Sequence, residues 1–273
     1  MPMCSEQIMV SVIMGVRCTQ EGTAALKAAV TSILAQTMSE FEFLICENGS
    51  APSAKQLLQA LSRQDTRICL IDGTGADSLT QKLNRCLKQA RGTWIARMDD
   101  DDFSHPYRFA QQLSFLSTHP EICIVGSWVL EQGGTAPMVR KLPPFPRVEN
   151  FRMTNPFVHP ALLLRRQAMI AVGGYSEHPL QEGCDDYDLL LRLYENGCLG
   201  ANVQQVLLDY SVTASQLKHR PYLLFYHEFR TRLSRFSSLG RMPAWFIWAV
   251  KPLVVGLLPR QLLHQLKRHL RLQ

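Results

Sequence analysis

The stretch that decides the fold is Trp94-Ile95-Ala96-Arg97-Met98-Asp99-Asp100-Asp101-Asp102. A short β-prone segment runs straight into four consecutive aspartates. Neighbouring carboxylates repel unless water, a proton or a cation intervenes. In a parallel α/β sheet the carboxyl ends of the strands border the ligand crevice, so this segment predicts a strand and locates a site at its end. On either side of it, apolar runs recur at residues 8–14, 41–46, 67–71 and 122–130. Helical spacing fills residues 24–36, 53–62, 78–90 and 106–118. Strands separated by helices of this length predict right-handed crossovers and an α/β fold, a mostly parallel sheet with helices on both faces. The near-continuous apolarity of Ile8-Met9-Val10-Ser11-Val12-Ile13-Met14 suits a strand buried on both sides.

Residues 133–146 break into Gly, Pro and basic positions and read as a loop or flap. A strand near 161–165, a helix at about 185–195 and a strand near 203–213 follow. A second acidic run, Glu182-Gly183-Cys184-Asp185-Asp186-Tyr187-Asp188, opens that helix. The helix dipole favours acids there, and capping accounts for much of the pattern. A carboxylate held at that position and facing the crevice can also accept a proton from a hydroxyl. In the first run the alternate carboxylates Asp99 and Asp101 can point the same way and share an oxygen-ligated Mg²⁺ or Mn²⁺. A solvated acidic turn before the helix near Pro106 is the other reading. The strand-end position favours the metal.

The 273 residues, 46% hydrophobic and 19% charged, can bury a full core, which excludes a disordered or collagen-like chain. No eighteen consecutive residues are apolar, so no membrane span is expected. The first seven residues lack a basic start and a long apolar run, so no export signal is expected. The eight cysteines form no Cys-x-x-Cys pair and read as free, mostly buried thiols of a reducing cytoplasm. The net charge of +6 is unevenly spread. Residues 1–214 carry 18 Lys/Arg against 22 Asp/Glu, and residues 215–273 carry 11 against one, Glu228. Within this tail, residues 243–258 are apolar, with Trp245, Phe246 and Trp248 as expected interfacial anchors. As a helix that stretch reaches about 24 Å, short of the ~30 Å hydrocarbon core. Residues 261–273 place Leu262, Leu266 and Leu270 on one face among Lys267, Arg268 and Arg271. The tail reads as a basic amphipathic helical element attracted to an anionic membrane surface; the other reading is a helix packed on the protein's own core or on a partner. No recognition motif supports a nucleic-acid partner, and none is expected.

The blocks Val10-Ser11-Val12-Ile13-Met14, Ser32-Ile33-Leu34-Ala35-Gln36-Thr37, Ala90-Arg91-Gly92, Ile95-Ala96-Arg97-Met98-Asp99-Asp100-Asp101-Asp102, Asn155-Pro156-Phe157-Val158-His159-Pro160, Gly173-Gly174-Tyr175 and Asp186-Tyr187-Asp188 occur in that order. Together they resemble the inverting family-2 glycosyltransferases, which have the glycosyltransferase A fold, over about residues 9–210. The nearest in character are the bacterial enzymes of capsule, exopolysaccharide and lipopolysaccharide synthesis. The resemblance implies a catalytic domain over 1–214, with a nucleotide-sugar half at about 8–130 and an acceptor half at 131–214, followed by the tail at 215–273. It implies a UDP-hexose or UDP-N-acetylhexosamine donor, a lipid-linked saccharide acceptor, and a cytoplasmic enzyme held at the inner face of the membrane. Asp99 and Asp101 fall on the family's Asp-x-Asp motif, which binds the donor diphosphate through Mn²⁺ or Mg²⁺, and Asp100 stands between them where a small residue is usual. Asp186 falls on the presumed catalytic base, and Asp185 stands beside it where the family has glutamate. Glu47 and Asn48 occupy the segment that contacts the nucleotide base, with Asn48 replacing the usual aspartate; Met14 and Val16, at the exit of the first strand, would border the same base. After that strand the family's Pro-x-Tyr-Asn is replaced by Gly15-Val16-Arg17-Cys18. A non-catalytic nucleotide-sugar or saccharide-binding assembly partner is the alternative expectation.

Overall fold

A computed structural model describes residues 8–133, 136–212 and 221–258. In chain order its strands are β1 (Val10–Val16), β2 (Phe41–Glu47), β3 (Ile68–Asp72), β4 (Trp94–Arg97), β5 (Phe103–Ser104), β6 (Ile122–Gln132), β7 (Met138–Arg140), β8 (Leu163–Arg165) and β9 (Leu199–Ser211). Its helices are α1 (Thr23–Leu34), α2 (Pro52–Gln64), α3 (Leu79–Gln89), α4 (Arg108–Thr118), α5 (Arg166–Ala171), α6 (Asp185–Glu195), α7 (Tyr222–Ser238) and α8 (Phe246–Leu257).

All seven residues of β1 are buried, as its unbroken apolar character predicts. Its alternate side chains feed two cores. Val10, Val12, Met14 and Val16 face one, with Leu26 and Ile33 of α1 and Phe109 of α4. Ile13 faces the other, with Leu83 of α3, Leu189 of α6, and Phe236 and Trp245 of the C-terminal helices. A buried polar knot fixes the middle of the sheet: Ser11 Oγ donates to Glu42 Oε1 at 2.6 Å, the Gly92 N–H donates to Ser11 Oγ at 2.8 Å, and Arg91 pairs with Glu42 at 2.7 Å. Gly92 approaches β1 so closely that a Cβ there would lie 2.5 Å from the Ser11 nitrogen.

The strand order is β3-β2-β1-β4-β8-β6-β9-β5, with β7 paired to β6. The first four strands are mutually parallel, linked through helices. The sheet is nevertheless mixed, where the sequence predicts a largely parallel one: β8 runs antiparallel to both β4 and β6. Parallel neighbours need a long crossover, usually helical. Between β6 and β8 the chain has only a short hairpin strand and 3₁₀ turns, so it returns antiparallel. Between β8 and β9 it passes through α5 and α6, and β9 then pairs parallel with β6. The stretch 133–146, expected as a loop, contains β7, paired with β6 through Val129 and Arg140.

The C-terminal helices form an antiparallel pair. Tyr222 and Phe225 at the start of α7 meet Gly256 at the end of α8, and Phe236 meets Trp245 edge-on at 5.1 Å. The pair packs on the body of the protein. Trp245 is 7% exposed and held beneath Arg152, so it is turned inward, away from the anchoring position expected of it. Trp248 lies partly buried beside the same guanidinium, and Phe246 faces outward at 51% exposure. The amphipathic segment 261–273 lies outside the described residues. No helix among the described residues is long and apolar enough to cross a membrane.

Candidate active site

Because β1, β2 and β4 are parallel, their carboxyl ends open on one side. The register pairs Val16 with Glu47 and Ile13 with Arg97, so the acid run leaves β4 beside the ends of the two neighbouring strands. The order β3-β2-β1-β4 also puts the reversal of strand order between β1 and β4. Crevices of open α/β sheets form at such points.

The four aspartates of the run have different surroundings. Asp99 is bound by the guanidinium of Arg97, which is wholly buried and also donates to the Met98 carbonyl. Asp102 turns inward: its Oδ1 accepts the Ser211 N–H at 2.8 Å, and its Oδ2 is buried with no partner. Burial, with Asp99 adding repulsion, pushes the Asp102 carboxyl up to about 8. Asp101 rises to about 6, from burial and then from Asp99 and Asp100. Asp100 is raised by the same causes and is drawn towards Lys82. Asp101 is supported by its own backbone N–H and by the charge of Arg97. Among the described residues no three His, Cys, Asp or Glu side chains converge on one point. An all-oxygen donor set of one or two carboxylates suits Mg²⁺ or Mn²⁺, whose remaining positions are usually filled by substrate phosphates and water.

Asp185 and Asp186 occupy the first turn of α6, where the dipole favours charge. The Asn155 amide donates to Asp186 Oδ2 at 2.8 Å and the Tyr187 N–H to Oδ1 at 2.7 Å. Both bonds favour the carboxylate, yet burial wins and Asp186 is raised above the ordinary range. Asp185 is pushed up to about 7 by burial, then by Asp186 and Glu182. Asp188 serves a different purpose. It is fully buried and accepts from Arg192 and Arg235, each at 2.8 Å, so it bolts α7 to α6.

Both acidic runs lie within electrostatic reach of Tyr175 and Tyr210. Burial raises the Tyr175 hydroxyl, and the charges of Asp186, Asp99 and Asp185 add to the effect. Burial likewise takes Tyr210 to about 12, with Asp99, Asp102 and Asp186 all contributing. Tyr175 shares a 2.8 Å hydrogen bond with His159, whose ring burial holds well below its usual range.

At the nucleotide end, Glu47 Oε1 accepts the Ser50 N–H at 2.8 Å, and the Asn48 amide donates to the Ala76 carbonyl and to Asp77, both at 3.2 Å. The Met14 and Val16 side chains are 0% exposed and belong to the core, so they do not reach the cleft. Backbone alone borders it there, and the Val16 carbonyl is already taken by Lys82 at 2.9 Å.

Several residues of this region escaped the sequence reading. Lys82, 3% exposed, ties the ends of β1 and β2 together through the Val16 and Asn48 carbonyls. Its signal was a lysine on the inner face of α3, between Leu79 and Leu83. Arg108 is fully buried, donates to the Arg97 and Leu162 carbonyls, and is lowered to about 9 by burial. Arg85 binds the Asp72 carbonyl and Arg91 binds Glu42. Trp128 donates to the Leu142 carbonyl.

A mixed α/β sheet with two acidic sites at the reversal point is the arrangement of the glycosyltransferase A class. The family model for glycosyl transferase family 2 matches residues 14–174, and the chain belongs to that family. It is 29% identical to the putative glycosyltransferase EpsE of Bacillus subtilis, over 94% of this chain and 92% of that protein. It is 30% identical to the Escherichia coli UDP-Gal:alpha-D-GlcNAc-diphosphoundecaprenol beta-1,3-galactosyltransferase, over 71% of each. Staphylococcus aureus TarS, solved in complex with UDP-GlcNAc, shares the fold at a TM-score of 0.67 and 13% identity, over 91% of this chain and 71% of that one.

Proposed function

We propose that the chain transfers a sugar, with inversion, from a nucleotide-diphosphate donor to a hydroxyl of a lipid-linked saccharide during surface polysaccharide assembly. The donor is a UDP-hexose or UDP-N-acetylhexosamine, and the enzyme works at the inner face of the cell membrane, held there peripherally by its C-terminal segment. The observation that supports this reading is that the strand-end aspartates and the acidic first turn of α6 both act on Tyr175 and Tyr210. The lipid-linked acceptor draws support from the named substrate of the E. coli relative, and the nucleotide sugar from the ligand of TarS.

Asp186 is the base. It takes the proton of the acceptor hydroxyl as that oxygen attacks the anomeric carbon from the face opposite the diphosphate. The bond to the diphosphate oxygen breaks as the new one forms, through an oxocarbenium-like transition state. A base pKa raised towards the working pH suits proton transfer, and burial supplies that rise. Asn155 and the Tyr187 N–H hold the carboxylate in one orientation. Asp101, with Asp99 or Asp100 beside it, would hold a divalent cation. When bound, the cation offsets the charge developing on the leaving diphosphate. Arg97 fixes Asp99, and the loop Glu47–Asn48 borders the nucleotide base.

The test is release of nucleoside diphosphate from a panel of nucleotide sugars by the full chain, with Mn²⁺ or Mg²⁺ and with chelator. Metal-dependent release from a UDP-sugar supports the reading. Binding of a nucleotide sugar with no turnover under any condition favours the non-catalytic assembly partner.

A further inference from the structure

α8 is apolar on every side except at Lys251, which donates to the Met153 carbonyl at 2.6 Å. One stripe, Trp245, Ala249 and Pro252, is buried against the body. The opposite stripe is apolar too, and exposed: Ile247 at 71%, Val254 at 54% and Leu257 at 73%. These positions recur at helical spacing with Val250 between them, so they form one continuous face. A helix apolar all round belongs in a core or in a bilayer, and this one has only half a core. Gly256 lets α7 approach closely, since a Cβ there would lie 2.9 Å from the Phe225 ring. The approach continues the face onto α7 through Tyr222 at 46%, Leu223 at 59% and Tyr226 at 40% exposure.

The surroundings of this face are cationic. Glu228 is the one acid in residues 215–273 and it pairs with Arg232 at 3.0 Å. Arg230 is exposed, Arg241 pairs with Glu149 at 3.1 Å, and beyond Leu258 the sequence adds Arg260, Lys267, Arg268 and Arg271 without an acid. An exposed apolar face in a strongly basic stretch of sequence complements an anionic leaflet, with apolar side chains entering among the acyl chains and cations at the headgroups. The twelve residues of α8 are too few to span, so the helix lies in the plane of the interface.

The pair is also fixed to the acidic end of α6. Arg235 donates to Asp188, His227 hydrogen-bonds the Glu182 carbonyl at 3.3 Å, and Leu224 packs on Gly183. The loop that leads into Asp185 and Asp186 is therefore held against α7. We propose that α7 and α8 form an interfacial foot whose Ile247–Val254–Leu257 and Tyr222–Leu223–Tyr226 face rests in an anionic leaflet and sets the Asp185–Asp186 end of the cleft at the membrane surface. What the foot does for catalysis rests on the lipid-linked acceptor proposed above; that it binds lipid does not.

The experiment is flotation of the full chain with vesicles of phosphatidylglycerol and phosphatidylethanolamine, with no sugar nucleotide present. The Ile247→Gln/Val254→Gln/Leu257→Gln variant changes only exposed positions and should lower the partition coefficient by at least about 30-fold, since each inserted side chain contributes through its buried apolar area. Ile170→Gln, 52% exposed on α5, should bind like the wild type. Circular dichroism checks folding, and Leu223→Gln/Leu257→Gln serves if the triple variant does not fold. Variant binding within threefold of wild type overturns the proposal. So does a wild-type dimer that the substitutions split while vesicle binding is unaffected, because a second copy would then cover the face. With binding lost, transfer to a lipid-linked acceptor in vesicles should fall while nucleoside diphosphate release in solution holds. If the wild type releases no nucleoside diphosphate but vesicle binding follows the expected pattern, the transferase reading fails and the foot stands.

Discussion

Removing the Asn155 amide should move the pH dependence of turnover, because that group holds the proposed base in its charged form. Its N–H donates to Asp186 Oδ2 at 2.8 Å, beside the Tyr187 N–H on Oδ1. Burial raises Asp186 and these bonds lower it, with burial the larger effect. A hydrogen bond to a charged group contributes about 1.5–3 kcal/mol, and one pKa unit corresponds to about 1.4 kcal/mol. Asn155→Ala should therefore raise the base by about 1–2 units. The base works deprotonated, so kcat/KM of the wild type should climb with pH along a limb lying above the ordinary carboxylate range. In the variant the limb should sit about 1–2 pH units higher, with activity largely recovered on its alkaline side. The assay is the pH profile of kcat/KM for transfer, with donor affinity measured alongside as a control for the loop, since Asn155 also accepts the Phe157 N–H at 3.1 Å. A limb that stays in place, or moves to lower pH, would refute the assignment of Asp186 as base.

Asp101→Ala should abolish metal-supported donor binding, read by calorimetry with and without Mn²⁺, and leave the melting temperature at or above that of the wild type, since burial and the neighbouring aspartates already disfavour its charged form. Trp245→Ala empties a buried site against Phe236 and should cost about 3–5 kcal/mol in urea unfolding. Arg235→Ala removes one of two charge-assisted bonds to buried Asp188 and should cost about 1.5–3 kcal/mol. Asp188→Ala removes the shared acceptor of both arginines and should cost more, about 3–5 kcal/mol, in the same assay.

The N-terminal half was legible because its strands are buried and separated by regular helices, signals carried by local periodicity. The bounds of α6 were readable from its acidic first turn and leucine face. The reversal at β8 was not, because three-residue strands such as Leu163–Arg165 carry no period and their direction depends on what lies between them. At the site the acids stood out by their clustering. Their separate surroundings did not, since the burial of Arg97 and Asp102 and the bond from Ser211 to Asp102 arise from contacts distant in sequence. Met14 and Val16 were assigned to the nucleotide by position along the strand, while the alternation of the strand points both side chains into the core. In the tail, composition revealed an apolar, basic element and could not say which aromatic faced inward. Trp245 packs on Phe236 and Ile247 faces out, a division that only the docking of α8 decides.

The most direct test of the central claim is Asp186→Asn, which keeps the size of the side chain and its place in the first turn of α6 while removing its basicity. With a nucleotide-sugar donor that the wild type turns over, transfer by the variant should fall about 10²–10⁴-fold while donor affinity stays within about twofold. A loss of transfer below about tenfold, with donor affinity intact, would contradict the account and move the proton to another group.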